Sequence, residues 1–207
     1  MLNEQGINKP LRINAIKKGV ILGLILLGLN IFSFYFITGM TKAAALIVAG
    51  PFLFTILIPL AATIFLILDM RKKVGGYWSF RQATTGVFIM FMVSYILLSV
   101  GRDLVFAKFI ERNMVQKTEA VMLEVKASSM KLAGARPADI NKDSADLKKE
   151  FDSAKTPSLS ETVQAYIVNT LFLFVMAIIF AAIFKKEGAF EPVVFENTDD
   201  NLADATP

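Results

Sequence analysis

Long apolar runs with short polar borders dominate the chain: Gly19–Met40, Ala43–Leu68, Ala83–Leu104 and Tyr166–Phe184. A helix rises about 1.5 Å per residue, so roughly 20 mostly apolar residues cross a hydrocarbon core. The central part of every run lacks Asp, Glu, Lys and Arg. A soluble helix of that length carries such residues on its outer face. The pattern predicts an all-α membrane protein built on four transmembrane helices.

Between the third and fourth runs the helical pattern continues rather than ending. No Pro or Gly falls between Arg102 and Lys131, while Phe106, Ile110, Met114, Val121 and Val125 recur at near-helical spacing. This predicts a third helix that continues beyond the bilayer, as one long helix or two nearly collinear ones, until Gly134 stops it. Pro137 opens a further short helix to about Phe151, with Ile140, Leu147 and Phe151 on one side. Ser79-Phe-Arg-Gln82 and Ser158-Leu-Ser-Glu161 both fit a capping box, which places helix starts just before the third and fourth runs. A fourth helix from Leu159 would be about 42 Å long, more than the hydrocarbon core requires. Its extra turns are expected to pack on the extension of the third. The predicted architecture is a four-helix membrane bundle, residues 19–187, with a small helical cap formed by residues 105–165.

Flanking charge orients the bundle. Lys9, Arg12, Lys17 and Lys18 precede the first span, Arg71, Lys72, Lys73 and Arg81 lie between the second and third, and Lys185 and Lys186 follow the fourth. The first hairpin, Gly39–Lys42, holds one cation, and the 105–165 connection is nearly balanced. Residues 1–18, the middle loop and the C-terminal end are therefore expected in the cytoplasm, with the cap outside. A cleaved signal peptide is the competing reading of the first run, with Ala43-Ala-Ala45 as its cleavage site. The run is longer than the usual apolar core of about 7–15 residues, and removing it would set the middle loop against the charge rule.

Composition narrows the chemistry. The 207 residues include no Cys and no His, which removes disulfides, thiolate nucleophiles, haem ligation, the usual zinc sites and an imidazole base. A net charge of +4, spread along membrane borders, gives no nucleic-acid face. No cofactor or metal set is legible. After Gly188 the chain turns acidic, with Glu191, Glu196, Asp199, Asp200 and Asp204, and is expected to be a disordered tail.

Inside the spans the polar residues are Asn30, Thr55, Thr63, Ser94, Ser99, Asn169 and Thr170. Such residues more often join helices than bind substrate. Pro51 and Pro59 predict a bent second span, either a packing helix or a hinge that lines a site. Gly19-x-x-x-Gly23, followed by Gly28, lets helix backbones approach closely, within the bundle or between copies in a homo-oligomer. Arg102 and Asp103 are neighbours in sequence, and on an α-helix neighbours do not face each other. Each is expected to serve another partner or water.

The most distinctive stretch is Arg71-Lys-Lys-Val-Gly75-Gly76-Tyr77-Trp78-Ser-Phe80-Arg81-Gln82. The glycines permit a sharp turn. Tyr77, Trp78 and Phe80 suit the interfacial belt, and Arg71, Lys72, Lys73 and Arg81 suit anionic headgroups. The loop reads either as an anchored turn or as a docking platform for membrane lipids or a cytoplasmic partner.

On these residues, on the four-span layout and on the Ala-Ala-Ile-Phe-Lys-Lys-Glu187 ending, the chain resembles a family of small bacterial membrane proteins classed as a domain of unknown function, number 4199. The resemblance covers roughly residues 15–187. Where the family usually has an acidic residue after the Ser-Phe turn, Arg81 and Gln82 stand here. The resemblance implies the inner membrane of a Bacteroidetes-type bacterium and carries over no catalytic residue. It also suggests proximity to a membrane-associated glycosyltransferase, and so an accessory role in envelope glycolipid assembly. The expectation is a non-enzymatic accessory or scaffolding subunit. The alternative is a small transporter or lipid-handling carrier, for which a cavity between the spans would speak.

Overall fold

A computed structural model describes residues 4–155 and 158–186, so the acidic tail lies outside the described residues. The elements are α1 (Glu4–Tyr35), α2 (Ala44–Phe52), α3 (Ile58–Lys73), α4 (Phe80–Ser99), α5 (Met114–Leu132), α6 (Pro137–Lys155) and α7 (Leu159–Phe184). Three π-helical stretches join or extend them: Phe36–Met40 after α1, Leu53–Leu57 between α2 and α3, and Val100–Ile110 after α4. Four helical segments are long and apolar enough to cross a membrane: Lys9–Met40, Ala44–Lys73, Phe80–Ile110 and Leu159–Phe184. They form a helical bundle, and α5 and α6 form a small helical insert.

Local signals act where the sequence puts them. Ser79 Oγ accepts from the Gln82 amide while the Gln82 side chain accepts from the Ser79 amide. Ser158 and Glu161 repeat this reciprocal cap at the start of α7. Both pairs satisfy amides that the first helical turn leaves without carbonyl partners. Gly75, Gly76 and Gly134 have φ of +97°, +83° and +76°. At the end of α3 the Gly76 amide returns to the Arg71 carbonyl and the Gly75 amide to that of Lys72. Ala135 and Gly134 close α5 by the same paired bonds. A left-handed residue just past the helix end is what that pattern requires.

The second span does not break at its prolines. Pro59 removes one backbone donor, and the chain absorbs the defect by widening the turn at Leu53–Leu57. Thr55 Oγ1 donates to the Pro51 carbonyl at 2.6 Å, and Ser94 and Thr170 likewise bond carbonyls of their own helices. These polar residues therefore bend or fill their own helices rather than joining them to others. Asn169, which donates to Tyr95 Oη at 3.2 Å, does link two spans.

The core sits toward the end that carries Lys9–Lys18, the α3–α4 loop and Lys185–Lys186, here termed the basic end. Leu11, Ala15 and Leu22 from α1, Leu66, Ile67 and Met70 from α3, Ala83, Val87 and Met90 from α4, and Ala177 and Ala181 from α7 are all buried there with Trp78. Apolar surface alone does not drive helices together in lipid, so close backbone approach has to. A Cβ on Gly19 would lie 2.7 Å from Val93 Cβ, and one on Gly23 would lie 3.0 Å from Leu97 Cβ. The small-residue stripe thus seats α1 on α4 within one bundle. Gly28 meets nothing within 4 Å.

At the opposite, insert end the helices part. Phe32, Phe36 and Phe54 pack edge-on or stacked around the first hairpin, and Phe106 packs edge-on to Phe34 and Tyr35. The third helix does not run on collinearly into the insert. The backbone leaves helical geometry at Glu111–Asn113, and α5 lies over the tip of the first hairpin, where Val121, Met122 and Val125 meet Ile37 and Ile47. That contact buries apolar side chains that a projecting helix would leave in water.

Candidate functional site

The Arg71–Gln82 loop divides into an inward and an outward set. Trp78 is 2% exposed, and its indole Nε1–H donates to the Phe184 carbonyl at 2.9 Å. The Arg71 guanidinium reaches the same carbonyl at 3.4 Å. The last carbonyls of α7 have no partners within the helix, so donors from the α3–α4 region supply them. A cation there also opposes the helix's negative end. Backbone pairing reinforces the closure, with the Trp78 amide donating to the Lys186 carbonyl at 2.9 Å and the Lys186 amide returning at 3.4 Å. Trp78 is thus no interfacial anchor, contrary to the sequence reading. It is the pin of a clasp that ties α7 to the loop.

A second tie joins α1 to α3. Lys18 Nζ pairs with Asp69 Oδ2, and Lys73 stands 3.4 Å from the same oxygen. The Lys18 side chain is mostly buried and that of Asp69 about one-third exposed. Sequence reasoning placed Lys18 only as a border charge, because its contact with Asp69 spans two helices and follows no periodicity. With this pair the basic end is cross-braced: α1 to α3 by charge, α7 to the loop by hydrogen bonds.

The outward set is what remains at the surface. Lys72, Lys73, Tyr77, Phe80 and Arg81 are exposed, with Tyr77 at 54%. Lys186 Nζ lies 5.2 Å over the Tyr77 ring, within cation–π range. Arg12, Lys17 and Lys185 are also exposed at this end. The loop glycines Gly75 and Gly76 turn the chain and approach no neighbour. The result is a basic, aromatic rim on a rigid base.

Arg102 and Asp103, at the insert end, depart from expectation. Arg102 Nε donates to Asp103 Oδ1 at 2.8 Å. They lie in the π-helical stretch Val100–Ile110, at its exposed surface, and the long Arg102 side chain curls along it. Neighbours can therefore meet.

Among known protein families, one described as a protein of unknown function (DUF4199) matches residues 17–186. The chain belongs to this family. The match covers the first span from residue 17 onward, the other three spans, the loop and the insert, and ends at Lys186, where the clasp closes. No curated protein matches, and no solved structure does.

Proposed function

We propose that this family member is a non-enzymatic accessory or scaffolding subunit of a bacterial cytoplasmic membrane, docking a partner through the rim at its basic end. The observation that carries the proposal is the division of one short loop. Its Trp78 and Arg71 are consumed by the clasp, while Lys72, Tyr77, Phe80 and Arg81 stand outside on a fixed base. A preorganised surface loses little conformational freedom on binding. The basic excess at this end supports a cytoplasmic orientation for both termini and the loop. The partner class suggested by the family resemblance is a membrane-associated glycosyltransferase of envelope glycolipid assembly.

A carrier reading has less support. Ala15, Ile67, Met70, Ala83, Val87, Met90, Ala177 and Ala181 are fully buried across the basic half, so the cleft between the third span and α7 lies at the opposite end and meets a packed core. The test is mild-detergent affinity purification from the native host. With Lys72→Gln and Arg81→Gln together, a stoichiometric membrane partner held by the wild type should be lost while thermal stability is retained. These two positions are chosen because Arg71 and Lys73 also serve the clasp and the Asp69 pair. Retention of the partner by the double variant would refute docking at this rim.

A further inference from the structure

At the insert end the outer turns of α7 stand off from the third span and leave a cleft of about 460 Å³. Tyr95, Arg102 and Asp103 line one wall, and Glu161, Tyr166 and Asn169 line the other. These side chains are held in place. Arg102 is bonded to Asp103, Asn169 to Tyr95, and Glu161 to the Ser158 amide at 2.7 Å. The Tyr95 and Tyr166 rings meet edge-on at 6.0 Å.

The charge set is mixed, with one guanidinium and two carboxylates lining the same cleft. A guanidinium has five N–H donors, and the Arg102–Asp103 bond uses the one on Nε. The remaining fork suits a phosphate. Two carboxylates suit an ammonium group with three donors. A wholly anionic ligand would meet repulsion from Asp103 and Glu161, and a simple cation would meet it from Arg102. The chemistry fits a zwitterion carrying a phosphate and a primary ammonium a few bonds apart. Leu98 and Ala165 add apolar lining, and Leu104, Val163, Ile167 and Val168, on the same two membrane-spanning helices, are exposed and apolar, where acyl chains can lie.

We propose that this cleft binds the headgroup of an aminophospholipid of the phosphatidylethanolamine class, with the phosphate at Arg102 and the ammonium between Asp103 and Glu161. The site lies at the opposite end of the bundle from the rim and does not depend on the docking reading. The full chain, reconstituted in vesicles of equal phosphatidylethanolamine, phosphatidylglycerol and phosphatidylcholine, is re-extracted in mild detergent and its retained lipid quantified by mass spectrometry. Phosphatidylethanolamine should be enriched over both others. Glu161→Gln combined with Asp103→Asn should reduce its preference over phosphatidylglycerol by about tenfold, the scale of one charge-assisted bond. Gln at that position keeps the capping box, so this variant changes charge without unmaking the helix start. Arg102→Gln should lower retention of every phospholipid.

No preference in the wild type would overturn the proposal, as would a preference unchanged in the double variant. Adding soluble glycerophosphoethanolamine separates lipid from free headgroup. If it displaces the lipid at equal headgroup concentration, the site takes the free headgroup and the lipid assignment fails.

Discussion

The two ends of the bundle hold their helices by different means. At the basic end all four spans share one core, and side chains from the α3–α4 region converge on the final carbonyl of α7. At the insert end α7 faces the third span across a cleft, touching it through Tyr166 and Asn169 at Tyr95. The π-helical stretches Phe36–Met40 and Val100–Ile110 lie toward this looser end. Because lipid is as apolar as leucine, exposed apolar surface does not pull a bundle shut. Small residues, directed hydrogen bonds and inter-helix charge pairs do, and the basic end has all three. A closed end can present a fixed surface, whereas a parted one can admit a ligand.

The largest expected effect separates inward from outward residues of the clasp. Trp78→Ala removes a buried indole and its bond to Phe184, and should destabilise by about 3–5 kcal/mol in thermal melts followed in detergent. Its neighbour variant Tyr77→Ala, which loses only the exposed contact with Lys186, should stay within about 1 kcal/mol. Comparable losses at both positions would erase the division of the loop.

Next in size is the glycine stripe. Gly19→Leu forces a side chain against Val93 and the Met90 carbonyl and should lose about 1–3 kcal/mol by overpacking. Gly28→Ala, which meets open space, should melt at or slightly above the wild-type temperature, since Ala favours a helix. A Gly28 variant that disrupts assembly instead would move the close helix contact to that position.

The smallest effect concerns the insert end alone. Ser158→Ala deletes the cap of α7 and should weaken it by about 1 kcal/mol. Amide hydrogen exchange should rise in the first turns of α7 while the clasp around Trp78 stays protected. Loss of protection at both ends would show that the two halves open as a single cooperative unit.

The spans were legible because lipid imposes one rule along their whole length. The caps Ser79–Gln82 and Ser158–Glu161, and the stop at Gly134, were legible because each is decided by a few adjacent residues. The direction of Trp78 was not. An aromatic residue in a basic border fits the interfacial belt and a buried clasp equally well, and only the position of the Phe184 carbonyl, 106 residues away, distinguishes them. The Lys18–Asp69 pair was hidden for the same reason. The turn of α5 onto Ile37 and Ile47 escaped because its apolar spacing stays helical across Glu111–Asn113. The Arg102–Asp103 bond was missed because it rests on the rotamer of one long side chain, which residue spacing does not announce.

The most direct test of the two-ended architecture uses the natural lack of cysteine, which makes any introduced thiol unique. Single variants Lys72→Cys, on the exposed rim, and Ser129→Cys, on the exposed face of the insert, are treated with a membrane-impermeant maleimide. Ser129→Cys should react in intact spheroplasts, and Lys72→Cys only after permeabilisation. Labelling of both from the same side, or in the reverse order, would contradict a bundle whose basic end faces the cytoplasm and whose insert lies outside.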